Sequence, residues 1–202
     1  MKTKEKIVII IFVLFTGYSC RMELDNSVLE NTEKQTTIEN VRAWYDAHKP
    51  ENIILRSFDG ARQVQIQAYW SNAFTTKYDS LKVVETDIMS KGRIMFFDSA
   101  CVAKYDETQD PKYEQCYTRM VFRINLNTKD TVGFLMTVVP NLDWLEKSNF
   151  KPFIEVTYLF RSHQFGGLIL FHNIDGSFSN GWRYVDGRIV GKITSLNANS
   201  NQ

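Results

Sequence analysis

Three cysteines, three histidines and the two Asp-Gly pairs nearest the C-terminus are the residues of this chain that could do chemistry. His48, His163 and His172 lack the spacing to Cys, Asp or Glu that metal ligands show, so the sequence predicts packed or surface histidines, no metal and no cofactor. Asp175 and Asp186 could form the carboxylate pair of a glycoside hydrolase. Each precedes a glycine, however, and a position in an Asp-Gly turn explains both residues.

Two of the cysteines, Cys101 and Cys116, leave two interpretations open. If residues 93–124 formed one symmetric hairpin, the thiols would lie opposite each other and could form a disulfide in an oxidising compartment. Alternatively, Asp98 or Ser99 caps a short helix that contains Cys101, and the symmetric pairing is lost. No histidine lies near either cysteine in sequence, so nothing indicates a catalytic thiol.

The third cysteine, Cys20, follows an export signal. Three lysines precede an uninterrupted apolar run at residues 7–15. At about 1.5 Å per residue, this run reaches under half of the roughly 30 Å hydrocarbon core of a bilayer, which is typical of a cleaved signal rather than of a membrane span. The small residues before Cys20 resemble a bacterial lipobox, in which the cysteine is acylated and becomes the first residue of the mature chain.

We therefore predict a signal peptide at residues 1–19 and a lipid anchor, with acyl chains such as palmitate, on Cys20. A strict lipobox has an aliphatic residue where this chain has Gly17. The alternative is an ordinary secretory signal that is cleaved nearby. Lipid anchoring would place the protein at the bacterial outer membrane, on a face that the sequence does not identify.

Composition limits the class of the mature chain. Removing the signal takes three of the 24 basic and one of the 23 acidic residues, which leaves a net charge near −1. This balance gives no electrostatic reason to expect nucleic acid as a partner. With 44% apolar residues the chain can form a core. We predict a flexible tether at residues 20–35, a single domain at 36–196 and a disordered tail at 197–202.

The domain is predicted to begin with a helix. Thr36 and Glu39 have the spacing of a capping box, and Pro50 is expected to end the helix. One apolar stripe follows helical periodicity, at Ile38, Val41, Trp44, Tyr45 and His48.

Strand patterns dominate the remainder of the chain. Alternating or continuous apolar segments predict strands at residues 61–70, 80–88, 92–97, 117–127, 131–140 and 152–160. Asn141 is expected to cap a short helix at 142–148. The two Asp-Gly pairs predict type I′ turns that connect a closing three-stranded meander. The sequence thus predicts an α+β fold in which an N-terminal amphipathic helix packs on an antiparallel, meander-type β-sheet.

Aromatic residues offer one further possibility for binding. Trp70, Trp144, Trp182 and Tyr184 could form a platform on which sugars stack. The alternative is that they fill the core between helix and sheet, where aromatic side chains usually contribute their large apolar area.

Several segments together resemble a family of uncharacterised Bacteroidota lipoproteins. These segments are the Trp70-x-x-Ala73 motif, the Val84-Glu85 pair, the "GFLMT" strand and the closing Asp-Gly meander, within residues 37–194. The resemblance implies an exported α+β domain. It implies no activity, and no residue takes a role from it.

These observations favour a membrane-anchored binding or interaction module, with a glycan or another envelope protein as its ligand. Two alternatives stay open. One is an envelope hydrolase whose site is assembled from residues distant in sequence, and the other is an inhibitor or immunity-type protein, for which the fold class alone gives little support.

Overall fold

The computed structural model describes residues 30–56, 63–92, 96–150 and 156–194. Contacts divide the chain into a first unit that ends at Asn40 and a second that begins at Val41. Of the first unit, residues 30–40 are described, and they form the first part of a helix. This helix, α1, covers residues 30–48 and lies near the N-terminus as predicted.

The second unit contains an eight-stranded antiparallel sheet in which the spatial order of the strands equals their order in sequence. The strands are β1 (Ile53–Arg56), β2 (Gln63–Tyr78), β3 (Leu81–Ser90), β4 (Tyr117–Asn125), β5 (Thr131–Pro140), β6 (Gly167–Asn173), β7 (Phe178–Val185) and β8 (Arg188–Ile193). Two helices, α2 (Ser99–Thr108) and α3 (Leu142–Lys147), and a 3₁₀ turn (Pro111–Tyr113) interrupt this series. The predicted meander is confirmed. Within the described ranges, no helix has the length and apolar character needed to cross a bilayer.

The predicted start of α1 is wrong. The helix already includes residue 30, so Thr36 lies inside it and its hydroxyl donates to the carbonyl oxygen of Thr32 at 2.8 Å. A hydroxyl that bonds the preceding turn in this way is not free to cap a helix. Residues 30–35, predicted as part of the tether, are therefore helical, while the rest of that segment lies outside the described residues. The helix ends at residue 48, as Pro50 predicted.

The two short helices have the caps that the sequence predicts. Asp98 accepts a hydrogen bond from the backbone N–H of Ala100 at the start of α2. Asn141 accepts one from the N–H of Trp144 at the start of α3. Because α2 occupies Ser99–Thr108, the symmetric hairpin that would have paired Cys101 with Cys116 is not formed.

The two Asp-Gly turns differ from each other. Asp186 and Gly187 both have positive φ, as a type I′ turn requires. In the first turn only Gly176 has positive φ, and the N–H of Gly176 donates to the oxygen of Asn173. The type I′ prediction for Asp175-Gly176 is therefore wrong, since Asp175 lacks a positive φ and four residues, 174–177, connect β6 and β7. A side chain at Gly176 would also overlap the carbonyl oxygen of Ile54 in β1.

Two predicted strands are not found in the described residues that they include. Residues 156–160 lack strand structure, although the segment is apolar, and Thr157 instead exchanges backbone and hydroxyl hydrogen bonds with Phe160 in a tight bend. Residues 96 and 97 also lack strand structure. The remaining parts of both predictions, 152–155 and 93–95, lie outside the described residues.

One aromatic group connects the end of α1 with β2 and β4. We call Trp44, Tyr45, Trp70 and Phe122 the aromatic cluster. Phe122 is fully buried, and its ring lies 6.1 Å from Trp44, 5.8 Å from Tyr45 and 5.5 Å from Trp70 between centroids. Tyr45 is also buried and meets Trp70 edge to face. These contacts are of the offset and edge-on kinds that aromatic rings prefer.

Candidate functional site

Four polar side chains share one face of the β3–β4 strand pair. We call Glu85, Asp87, Tyr117 and Arg119 the polar cluster. Asp87 lies directly opposite Arg119 in the antiparallel register, and the other two are each two residues away on the same face. Diagonal neighbours across a strand pair are within reach of long side chains, so the four residues can contact one another.

An ion pair forms the buried half of the polar cluster. Arg119 Nη1 donates to Glu85 Oε2 at 2.9 Å, and the two side chains are only 1% and 0% exposed. The second carboxylate oxygen, Glu85 Oε1, accepts from the backbone N–H of Tyr158 at 2.9 Å. Burial raises the pKa of Glu85, although Arg119 and the Tyr158 N–H both favour its ionised form.

The guanidinium group of Arg119 also contacts two aromatic rings. Its carbon lies 4.4 Å from the centroid of Tyr117 and 5.3 Å from that of Phe74, which are cation–π distances. Its Nε and Nη2 groups have no hydrogen-bond partner among the described residues. Ring faces therefore replace hydrogen-bond acceptors around this buried cation.

Asp87 forms the outer half of the polar cluster. Its Oδ1 accepts from the hydroxyl of Tyr117, and its Oδ2 accepts from Asn72 Nδ2 at 2.9 Å. Asn72 reaches Asp87 because β2 has an irregular register between Tyr69 and Phe74, which displaces this part of the strand from regular pairing. Burial, followed by the hydrogen bond to Asp87, raises the pKa of Tyr117 to about 12, so this phenol keeps its proton.

A cavity of about 300 Å³ adjoins the outer half of the polar cluster. Its described lining combines the polar residues Asp87, Ser90, Cys116, Tyr117 and Thr118 with an apolar wall of Leu55, Ile66 and Ile88. This volume lies at the lower end of the range for ligand pockets, which typically combine apolar walls with a few fixed polar groups. The cavity and the polar cluster together are the candidate functional site.

The residues that the sequence singled out mostly lie elsewhere. Cys20 is outside the described residues. Neither Cys101 nor Cys116 is in a disulfide. Cys101 is buried in α2, where burial raises its thiol pKa to about 11, whereas Cys116 lines the cavity. Within the described ranges, no group of His, Cys, Asp and Glu side chains could hold a metal ion.

The four candidate aromatic residues do not form one exposed row. Trp144 and Tyr184 are buried in the core, where both rings contact Phe165. Trp182 is partly buried against the same core, and Trp70 belongs to the aromatic cluster. For Trp144 and Tyr184, the interpretation as core residues is confirmed.

The histidines and the paired aspartates are also separate from the cavity. His48 stacks on Trp44, His163 is exposed, and His172 is buried between the rings of Phe96 and Phe178. Asp175 accepts from the N–H and hydroxyl of Ser177, and these bonds hold the pKa of its carboxyl below the ordinary value. Its role is that of a turn residue.

Sequence reasoning did not identify the polar cluster as a site. In the sequence, Glu85 stands out only as part of the Val84-Glu85 pair, and Arg119 lies within the predicted strand at 117–127. A usable signal did exist, because acidic residues at alternate positions of one strand and a Tyr-x-Arg pattern in another are complementary. The connection from Ser90 to Tyr117 is too long to fix the register from sequence, so the complementarity could not be assigned. No protein-family model, curated protein or solved structure matches this chain.

Proposed function

We propose that this chain is a lipoprotein of the bacterial cell envelope whose folded part is a non-enzymatic binding module. An acylated Cys20 holds it at the outer membrane, and its ligand is a compact group of a glycan or of another envelope protein. The apolar run at residues 7–15 and the small residues before Cys20 support the anchor. The resemblance to Bacteroidota lipoproteins supports the same compartment.

The single observation that carries the binding function is the cavity beside the polar cluster. Its polar groups are fixed before any ligand arrives, because Asp87 is held by both Tyr117 and Asn72. Fixed groups lose little conformational freedom on binding, which favours affinity. Of the apolar residues in the lining, Ile88 is partly exposed and supplies surface that a ligand can cover, whereas Leu55 and Ile66 are buried.

The same geometry favours binding over the hydrolase alternative. Glycoside hydrolysis ordinarily uses two carboxyl groups that flank the substrate. Asp87 borders the cavity, but Glu85 is 0% exposed and both of its oxygens already accept hydrogen bonds within the protein. Glu85 is therefore placed to hold Arg119 and not to exchange protons with a substrate.

We further propose that the second part of α1 packs on the sheet as an amphipathic helix. Buried Val41 and Tyr45 and the ring contacts of Trp44 with Phe122 support this arrangement. Such packing would stabilise the β2–β4 region from the face opposite the polar cluster.

The binding function is tested with the full chain in zwitterionic detergent micelles, labelled at the isoleucine δ1 methyl groups. The probes are n-butylammonium, n-butanol and butyrate, each titrated separately. Since Ile66 and Ile88 line the cavity, we expect at least one probe to shift both methyl resonances saturably. Exposed Ile189 on β8 reports nonspecific binding and should not shift. If all three probes leave Ile66 and Ile88 unchanged, the proposed binding function is wrong.

A further inference from the structure

One face of the β2–β3 strand pair surrounds Asp87 with exposed side chains. Tyr69 lies directly opposite Asp87 in the antiparallel register, and Gln67 lies directly opposite Met89, two residues further along β3. The side chains of all four residues therefore share one face of the sheet. Tyr69 and Met89 are 38% and 43% exposed, Gln67 and Asn72 are also exposed, and Asp87 is partly buried. We call these five residues the Asp87 surface.

Two hydrogen bonds hold Asp87 in place on this surface. Its Oδ1 accepts from the hydroxyl of Tyr117, and its Oδ2 accepts from Asn72 Nδ2 at 2.9 Å. An ionised carboxylate has about four lone-pair sites on its two oxygens, so each oxygen can accept a further hydrogen bond. Asp87 thus offers a ligand two adjacent acceptors whose position is already fixed.

The hydrogen-bonding groups of the Asp87 surface indicate the chemical class of the ligand. Asp87 only accepts, whereas the side-chain amides of Asn72 and Gln67 can each donate and accept. A hydroxyl group also donates and accepts, so a ligand with several hydroxyls complements this mixture. An ammonium group has no acceptor, and a carboxylate or phosphate would be repelled by the charge of Asp87. The surface therefore favours an uncharged polyol, in which two neighbouring hydroxyls donate to the two carboxylate oxygens.

Tyr69 adds an aromatic ring to these polar groups. The face of such a ring carries partial negative charge and attracts C–H groups, which line the apolar side of a sugar ring. Directly opposed residues of an antiparallel pair have Cβ atoms about 5 Å apart. A ligand of the size of one sugar ring can therefore contact Tyr69 and Asp87 together. The flexible thioether of Met89 supplies further apolar contact beside them.

We propose that the Asp87 surface binds an uncharged sugar ring, with two neighbouring hydroxyls donating to Asp87 and the apolar side of the ring on Tyr69. This inference rests on the proposed binding function and specifies its ligand class. The sugar can be a free monosaccharide or the terminal unit of a glycan, since both present the same hydroxyls. Asp87 faces the opposite side of the sheet from Ile66 and Ile88, so methyl groups on the two faces report binding separately.

The test uses the full chain in zwitterionic micelles, labelled at the methionine ε and isoleucine δ1 methyl groups. The probes are methyl α-mannoside, methyl β-galactoside and methyl β-glucoside, which together contain cis and trans pairs of neighbouring hydroxyls. We expect at least one of them to shift the Met89 resonance saturably, with a Kd of about 1 mM, and to leave Ile189 unchanged.

The outcome separates this inference from the proposed function. If none of the three glycosides shifts Met89, the sugar assignment is wrong, even where a butyl probe shifts Ile66 and Ile88 and the cavity therefore binds. If neither the glycosides nor the butyl probes shift these resonances, the proposed function itself fails.

Variants at Tyr69 test the stacking contact. Tyr69→Ala removes the ring and should weaken binding of the best glycoside about tenfold. Tyr78→Ala is the matched control, because Tyr78 is a 68% exposed tyrosine at the far end of the same strand and should not affect binding. Unchanged affinity in a folded Tyr69→Ala protein would overturn the assignment. The buried Met120 methyl resonance shows whether each variant remains folded.

Variants at Asp87 test the acceptor. Asp87→Asn keeps the shape of the side chain but loses the charged acceptor, and should weaken glycoside binding about tenfold. Tyr117→Phe keeps the carboxylate and releases one of its two fixed contacts, and should weaken binding about threefold. Asp106→Asn, an exposed acidic position on α2, is the matched control and should change nothing. A folded Asp87→Asn protein that binds as tightly as the wild type would contradict the proposal.

Disaccharides distinguish the two sources of the sugar. The best glycoside is compared with the disaccharide that ends in the same sugar, which is mannobiose, lactose or cellobiose. If the disaccharide shifts Met89 with similar affinity, the surface accepts the terminal unit of a glycan. If the disaccharide does not bind, the ligand is a free monosaccharide. Each result supports the sugar class and selects one source.

Discussion

The aromatic cluster and the polar cluster use opposite faces of the same strand, β4. Phe122 points to one face, and Tyr117 and Arg119 point to the other, because alternate residues of a strand face opposite sides. On the first face buried rings meet rings; on the second, a buried cation meets a carboxylate and two rings. The comparison teaches that burial alone does not assign a role. Apolar burial stabilises, whereas a buried ion pair is weak evidence for stability and needs another explanation.

The largest effect is expected from removing the ring at the centre of the aromatic cluster. Phe122→Ala should lower the free energy of unfolding by about 3–5 kcal/mol, since a fully buried side chain leaves a cavity. Denaturant unfolding measures the change. The control is Phe160→Ala, because Phe160 is 53% exposed and its loss should cost under about 0.5 kcal/mol. Equal losses in both variants would contradict the central position of Phe122.

The polar cluster should respond differently to single and double changes. Arg119→Met should destabilise the fold by about 3 kcal/mol, because Glu85 remains buried without its partner. The double variant Arg119→Met with Glu85→Leu should recover most of that loss, since two apolar side chains need no hydrogen-bond partners. Denaturant unfolding of the single and double variants gives the comparison. A double variant as unstable as the single one would show that the ion pair itself stabilises the fold.

Acidification should lower the free energy of unfolding through a histidine on the face that contains the aromatic cluster. His172, which faces the same side of the sheet as Phe122 and Leu135, has a pKa lowered to about 4 by burial. The unfolded chain, with an ordinary histidine pKa of about 6.5, binds more protons between these values, so stability falls as pH drops from about 6.5 to about 4.

The expected loss attributable to His172 over that range is about 3 kcal/mol. His172→Leu should remove this part of the pH dependence in denaturant unfolding at several pH values. The control is His163→Gln, an exposed position that should leave the pH profile unchanged. An identical acid slope in wild type and His172→Leu would contradict a neutral, buried His172.

The smallest stability effect is expected at the outer half of the polar cluster. Tyr117→Phe removes the hydroxyl that donates to Asp87 but keeps the ring against Arg119, and should cost about 1 kcal/mol. Thermal unfolding measures this change. The residues of the outer half should thus affect binding more than stability, unlike Phe122. If Tyr117→Phe lost as much stability as Phe122→Ala, the role of Tyr117 would be mainly structural, which would contradict this prediction.

Local signals in the sequence predicted much of the fold. The caps at Asp98 and Asn141 were recognisable because a short side-chain oxygen satisfies a nearby backbone N–H, which is a local interaction. Strand β5 was predicted with its observed bounds, because residues 131–140 form an apolar run. The second Asp-Gly turn was also predictable from two adjacent residues.

The wrong predictions have physical causes that lie outside any local sequence pattern. The spacing of Thr36 and Glu39 fits a capping box, but residues before Thr36 continue the helix and the cap is not needed. The apolar segment at 156–160 bends because Thr157 and Phe160 bond each other. Charged residues in strands usually face solvent, so local pattern gives no sign that Arg119 and Glu85 are buried. Their burial depends on Tyr158, which is 73 residues from Glu85.

The central claim is that a binding domain is held in the envelope by an acylated Cys20. The most direct measurement feeds growing cells an alkyne analogue of palmitate and follows the label on wild-type protein and on Cys20→Ala, with protease treatment of intact cells in parallel. The account predicts label and membrane fractionation for the wild type and neither for Cys20→Ala. Cleavage on intact cells would place the domain outside, and protection would place it in the periplasm. An unlabelled wild type, or a Cys20→Ala protein that is labelled and membrane-bound as before, would contradict the claim.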